Sequence, residues 1–496
     1  MRPPRRGLVP LCAWLVLGLA GCGTILPSGA ATSSAEPSTD AESGPAAASA
    51  SAYTLSSIDL GGDIAAPAIR RHLEALNAIA AEHGGIRTSG TPGYDASVDY
   101  VVGELRAIGY EVSTPEFEMD TFAELPGGTL TVSQGGPAFA AGDHTHAMIY
   151  SADGEVTAPV ATVGFPDSAG GEGDQGCSEA DWDEFPDGAI ALTPPGPCLR
   201  RDTVLHAQEA GAAGLVVANE DWEPGEARRP TLLFPDQIEI PVLSVVDEVG
   251  DALAEAAEDG AEVRISVDTE IGTATVRNVV AEHGSEGPVV MVGGHLDSVL
   301  DGPGINDNGS GVAAALEVAH LLVDAGHPGT VRVGFWAAEE FGLHGSRDYV
   351  TGLVPEDIDE IAAYINLDML GSVNGVPIVY SNAGAASGSS DITAFLAAYL
   401  EAQGIGAHPQ DLGTGSDHFF FQEAGVPTGG IFSGASEEKT TDQAAAFGGE
   451  AGEPLDPCYH LACDTLDNVD AERVAAYAQG AAAAMWVIAA GELPPA

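Results

Sequence analysis

Pro288-Val289-Val290-Met291-Val292-Gly293-Gly294-His295-Leu296-Asp297-Ser298 is the stretch on which the fold is decided. A short apolar run bounded by turn-forming residues reads as a strand buried on both faces of a parallel sheet. His295 and Asp297 then fall at its carboxyl end, where open parallel sheets form their ligand sites. Two further runs repeat the pattern: Thr330 to Trp336 leads to Glu339-Glu340, and Ile361 to Leu367 leads to Asp368. Helical spacing is read near Val312 to Ala325, Ile392 to Gln403 and Ala471 to Ala490, the last started by Asp470 as N-cap. This alternation from Val276 onward predicts an α/β fold with a mostly parallel central sheet flanked by helices.

Working outward, residues 64–83 carry Ile69, Leu73, Leu76, Ile79 and Ala80 at helical spacing, stopped by Gly84-Gly85. A second helix is expected over Tyr94 to Ile108 and a strand over Tyr110 to Thr114. From Leu125 to Val267 the texture changes to short strands, prolines and turns, with one helix near Thr203 to Ala210. The expected division is a core of residues 53–124 and 268–496 with a mixed, strand-rich insert of 125–267. Within the insert, Cys177 to Asn219 resembles the protease-associated (PA) domain, through Gly188-Ala189-Ile190-Ala191-Leu192, Cys198, Ala207 and Ala210-Gly211-Ala212-Ala213-Gly214-Leu215.

The N-terminus reads as an export signal over residues 1–21: Arg2, Arg5 and Arg6 precede an apolar Leu8 to Leu19, which is too short for a comfortable membrane span. Leu19-Ala20-Gly21-Cys22 resembles a bacterial lipobox, which implies lipidation of Cys22 and a surface-anchored protein; an ordinary secretory cleavage site is the alternative. Residues 22–52, rich in Ala, Ser, Thr and Pro, cannot bury enough surface to fold and read as a tether. The formal charge of −57, with Lys439 the single lysine, repels nucleic acid and anionic lipid and excludes both as partners. Membrane contact is therefore expected only through the lipid, and a monomer is expected. Cys177, Cys198, Cys458 and Cys463 remain after Cys12 and Cys22 are set aside. Their spacing suggests two local disulfides, Cys177 with Cys198 and Cys458 with Cys463; structural zinc is the other option, though no Cys-x-x-Cys pair exists.

A lone carboxylate at a strand end is most often a cap or a solvated loop residue. Here Asp307 joins the three strand-end groups, set in the glycine-rich Gly304-Ile305-Asn306-Asp307-Asn308-Gly309-Ser310-Gly311 just before a helix. So many carboxylates converging would raise one another's pKa, and metal dications relieve that cost. These motifs in this order, with Cys458-Tyr459-His460-Leu461-Ala462-Cys463-Asp464-Thr465, resemble the M28 family of metallopeptidases, the bacterial leucyl aminopeptidase type in particular.

That resemblance implies two Zn2+ per chain. His295 and Asp368 would hold one, Glu340 and His460 the other, and Asp307 would bridge them. Glu339 would be the general base on a zinc-bridging water, Asp297 would orient the site, and Tyr459 would donate its hydroxyl to the tetrahedral intermediate. The activity implied is removal of single, apolar N-terminal residues from peptides with a free N-terminus. Carboxypeptidase or dipeptidase action, a metal-free binding ectodomain and a single-zinc glutaminyl cyclase are the alternatives within the fold. His72, His144, His146, His344 and His408 sit in no comparable constellation; His418, in Gly415-Ser416-Asp417-His418, lies near the family's substrate pocket. Relatives of this type can carry an arginine where this chain has Gly415, so substrate preference is expected to differ there.

Overall fold

The computed structural model describes residues 60–493, except 133–135, 143, 166–174, 220–226, 228, 285–286 and 382–385. The export signal, Cys22 and the tether lie outside the described residues.

The first helix spans Ala66–Glu82 with proline in its opening turn, buries Ile69, Leu73, Leu76 and Ala80, and ends before Gly84 and Gly85, both at positive φ. The second, Pro92–Ala107, is capped by the Thr91 hydroxyl, which accepts the Tyr94 N–H.

The central sheet has eight strands in the order Glu111–Ser113, Val279–His283, Thr330–Trp336, Val289–His295, Ile361–Leu367, Thr428–Phe432, Ile378–Tyr380 and His408–Gln410. Its four inner strands run parallel, from Thr330–Trp336 to Thr428–Phe432, and the antiparallel pairings lie toward the edges. Because successive strand residues face opposite sides, the inner strands divide their side chains between two layers. Val290, Val292, Phe335, Ala363 and Ile365 pack in the same core as the helices Gly309–Ala325 and Ala471–Ala489. Met291, Trp336 and Tyr364 pack with Phe421 in a separate aromatic cluster, where the Trp336 indole donates to the Tyr364 hydroxyl at 2.8 Å. Asp470 caps the Ala471–Ala489 helix as the sequence predicts, accepting the N–H groups of Glu472 and Arg473 at 3.1 Å. Among the described residues no helix is long and apolar enough to cross a membrane.

An antiparallel ribbon of Glu116–Glu124 against Thr269–Arg277 leads out of this sheet and back into it. Between its strands lies a second eight-stranded sheet, with Gly154–Thr162, Ile190–Thr193, Gly214–Asn219 and Val242–Val246 parallel at its centre. The expected helix is present as Arg200–Glu209. The expectation of a single helix is corrected by a second, Asp247–Asp259, which buries Val249, Leu253 and Ala256 and ends at Gly260 in the left-handed conformation. Val249, Leu253 and Ala256 recur at helical spacing against a mostly acidic opposite face, so the periodicity of this helix is present in the sequence.

Two glycines let the functional loops approach the sheet. A Cβ on Gly294 would lie 2.3 Å from the Leu367 carbonyl oxygen, and one on Gly311 2.2 Å from the same atom. Only glycine allows the Asp307 loop to close over the ends of these two strands.

Candidate metal centre

His295 is the last residue of its strand, and its imidazole is 1% exposed. Nε2 lies 3.1 Å from Asp307 Oδ1 and 3.4 Å from Asp368 Oδ1. The other oxygen of Asp307 lies 3.1 Å from His460 Nε2, which is also 3.1 Å from Glu340 Oε2. Asp307 thus presents one oxygen to each imidazole, and two donor sets share it: His295, Asp307 and Asp368, then Asp307, Glu340 and His460. Within each set the donor atoms lie within 4.8 Å of one another. All five residues that the sequence singles out as ligands are brought together.

Asp297 stands behind them. Its backbone oxygen lies 3.1 Å from His295 Nδ1, its carboxylate oxygen Oδ1 3.7 Å from the same nitrogen, and Oδ1 accepts the Glu339 N–H at 3.3 Å. Tyr459 stacks on the His460 ring with 3.7 Å between centroids. His460 itself has φ +61°, a left-handed conformation costly for a residue with a Cβ, in a loop closed by the Cys458–Cys463 disulfide. The other pair, Cys177 with Cys198, is also bonded. Glu339, Glu340, Tyr459, His460 and Gly415 line one cleft of about 460 Å³, which the insert residues Leu199, Arg200 and Arg229 also line.

The electrostatics fit dications. Burial lowers the His295 pKa, but Glu339 and Asp368 more than offset this and hold it well above the usual histidine value. His460 is likewise lowered by burial and raised by Glu340 and Asp307, to about 10. Burial raises Asp307, yet hydrogen bonds from both imidazoles hold it below the usual carboxylate range. Burial raises Glu340 to about 7, and pushes Glu339 well above its usual value despite the opposing charge of His295. Protons on two imidazoles are therefore standing in for positive charge that the acids require. Glu340 Oε1, Asp368 Oδ1 and Asp297 Oδ2 are buried and find no hydrogen-bond donor among the described residues. Imidazole and carboxylate donors with orphaned oxygens suit zinc.

Several residues that brace this centre carry no sequence signal of their own. Arg87, fully buried, donates to the carbonyls of Leu296, Pro303 and Gly304, tying the His295 loop to the Asp307 loop. Ser89 accepts the Ala338 N–H at 2.7 Å and Asn278 accepts that of Ala337 at 3.0 Å, which fixes the approach to Glu339. Ser416, in the Gly415-Ser416-Asp417-His418 segment that the sequence does mark, donates to Asp368 Oδ2 at 2.6 Å and accepts from Asn366. His418 is buried edge-on to Tyr380, and burial lowers its pKa to about 4. It contributes to none of the three donor clusters found among the described residues.

Residues 278–485 match the sequence profile of peptidase family M28, and residues 156–253 match that of the PA domain. A Mycobacterium tuberculosis protein named "Probable lipoprotein aminopeptidase LpqL" is 39% identical over 86% of this chain and 85% of its own length. An aminopeptidase of Pseudomonas aeruginosa is 36% identical over 81% of this chain and 76% of its own length. Among solved structures, the aminopeptidase from Aneurinibacillus sp. strain AM-1 superposes with a TM-score of 0.68 at 25% identity, covering 86% of this chain and 94% of that one. A zinc aminopeptidase from Bacillus subtilis shares the fold, with a TM-score of 0.63 at 23% identity over 85% of this chain and 94% of its own.

Proposed function

The chain belongs to peptidase family M28 and is a zinc metallo-aminopeptidase, and we propose that it is exported, uses two zinc ions per chain and removes single, apolar N-terminal residues from peptides. The observation that carries the two-ion reading is the sharing of Asp307 between two imidazole-carboxylate clusters. In this reading His295 and Asp368 would hold one ion and Glu340 and His460 the other, with Asp307 offering an oxygen to each. When bound, the ions supply Lewis acidity that polarises the scissile carbonyl and makes water acidic.

The chain's own residues do the rest. Glu339, which groups with His295 and Glu340 in a third donor cluster but shares none with Asp307, opens to the cleft, takes the proton of the attacking water and delivers it to the departing amine. Asp297 orients both partners, accepting the Glu339 N–H and facing His295 Nδ1. Tyr459, in the cleft, donates its hydroxyl to the oxyanion. Glu339 and Asp368 supply the negative charge that selects a free α-ammonium.

The division into a peptidase unit, 53–124 with 268–496, and a PA insert, 125–267, is part of the same proposal. It is supported by the ribbon that separates the two sheets. Export as a lipoprotein anchored through Cys22 is supported by the lipobox and by the lipoprotein name of the mycobacterial relative.

The test is a panel of leucyl and other aminoacyl reporters, their N-blocked forms and carboxyl-terminal reporters, with and without chelator. Chelator-sensitive cleavage of free leucyl substrates alone is expected, with two zinc ions per chain by metal analysis. Cleavage of blocked N-termini, or one ion per chain, would sink the reading.

A further inference from the structure

We propose that His283 and His327 form a further divalent-metal site, remote from the catalytic centre, that takes Cu2+ ahead of Zn2+. The inference stands apart from the aminopeptidase reading.

His283 closes the strand Val279–His283, and His327 follows the helix Gly309–Ala325 in the turn before Thr330–Trp336. Their imidazoles meet across 44 residues of chain, with His283 Nδ1 2.8 Å from His327 Nε2. The backbone fixes both placements. His283 is paired in register with Val331, while Gly326 ends the helix in the left-handed conformation and the His327 N–H donates to the Leu322 carbonyl at 3.0 Å. A Cβ on Gly284 would lie 2.7 Å from the Gly329 carbonyl oxygen and 3.2 Å from His327 Cε1, so only glycine after His283 lets the two segments close.

Elsewhere His72 meets Glu317, His146 meets Glu124 and His320 meets Asp324, as expected in a chain with 74 acidic residues. Here imidazole faces imidazole instead, a donor pair that suits copper, nickel and zinc. Burial lowers the His327 pKa, which keeps that ring a neutral ligand at neutral pH. Two nitrogens bound at right angles, each ~2.0 Å from one ion, lie about 2.8 Å apart. The pair already has that spacing. Both residues are half-buried, so each ring can turn off the line between the nitrogens and water can complete the shell. The hydrogen that bridges the rings passes to the other nitrogen of its own imidazole, so both ligands stay neutral. Right-angle donors are the preference of Cu2+, which also heads the affinity series, whereas tetrahedral zinc needs them farther apart.

The catalytic centre is at the other end of the sheet. His295 is paired with Trp336 and His283 with Val331 on the same strand, a separation of about 17 Å at ~3.3 Å per residue. The two centres therefore share no ligand.

The test titrates the zinc-loaded full chain with Cu2+, using glycine as a weak competing ligand, and reads calorimetry, metal analysis and pulsed electron paramagnetic resonance. Copper should be taken up with the catalytic zinc retained, and its signal should carry modulations from two imidazoles. Outer contacts alone alter metal affinity ~10–100-fold, so loss of a ligand in His283→Asn or His327→Asn should weaken copper binding by at least that much. Cleavage of a leucyl reporter should be unchanged in both variants, which reports that they are folded. The same titration with Zn2+ should give weaker uptake at this site. No copper uptake, uptake matched by zinc release, a signal from a single imidazole in the native chain, copper binding undiminished in either variant, or tighter binding of Zn2+ overturns the inference.

Discussion

Asp464 Oδ2 accepts the backbone N–H of Asp307 at 3.0 Å. Its other oxygen accepts the Asn306 N–H at 2.8 Å and the Asn468 amide at 3.1 Å, and its own carbonyl accepts the Ile305 N–H at 3.1 Å. The segment that carries His460 is thereby pinned to the loop that carries Asp307, and the distance between those two groups is held without reference to the rest of the sheet.

Asp464→Asn puts an amide donor opposite one of two backbone donors and leaves that N–H unsatisfied. Outer contacts of this kind typically alter metal affinity ~10–100-fold. Zinc affinity measured against a competing chelator should fall by that order while the far-UV spectrum is kept; unchanged affinity would show that the loop holds its shape unaided.

Glu339→Gln removes the proton acceptor but keeps the shape of the side chain. Neither shared-Asp307 cluster includes Glu339, so both zinc ions should remain. Loss of a general base costs about 10²–10⁴ in turnover, so kcat should drop by that factor with metal content unchanged. Substantial activity in this variant would remove Glu339 from its assigned role.

The parts of the centre legible in the sequence are those where chemistry and local pattern coincide. His295, Glu339, Glu340 and Asp368 follow apolar strands, and Asp307 sits among glycines, so position along the chain already marks them. Arg87, Asn278 and Asp464 act through backbone groups far away in sequence: Arg87 reaches Leu296 and Asp464 reaches Asp307 only once the sheet is assembled. Nothing in their immediate neighbours records those partners. The presence of Arg200 and Arg229 in the cleft depends on how the insert lies over the peptidase sheet, which no periodicity encodes.

The Cys458–Cys463 loop holds His460 in its left-handed conformation. Such a residue stores ~1–3 kcal/mol that its surroundings must offset. Replacing both cysteines by alanine frees the loop, so the cluster that depends on His460 should weaken first. Metal analysis after dialysis should then approach one zinc per chain rather than two, with His295, Asp307 and Asp368 retaining theirs. Retention of both ions would mean that the Asp464 contacts alone suffice.

Glu124 ends the outgoing ribbon strand, where its carboxylate meets Arg229 at 2.8 Å, His146 at 2.9 Å and the Ala147 N–H at 3.0 Å. Burial raises its pKa, but these donors more than offset that and leave it below the usual glutamate value. A carboxyl with a depressed folded-state pKa contributes stability that is fully present above its unfolded value, about 4.3, and is lost as pH falls through the folded value. Thermal midpoints should therefore decline as pH drops below that range, and Glu124→Gln should flatten this part of the decline. Since Arg229 also holds Asp301, the neutral variant leaves one ion pair intact, and its loss at neutral pH should be smaller than for Arg229→Ala. Arg229→Ala takes the guanidinium from both Glu124 and Asp301, leaving Glu124 to His146 and the Ala147 N–H, and removal of one partner from a fully buried pair, the upper bound for these partly buried ones, costs about 3–5 kcal/mol. If Glu124→Gln tracks the parent across the acid range, the titrating group lies elsewhere.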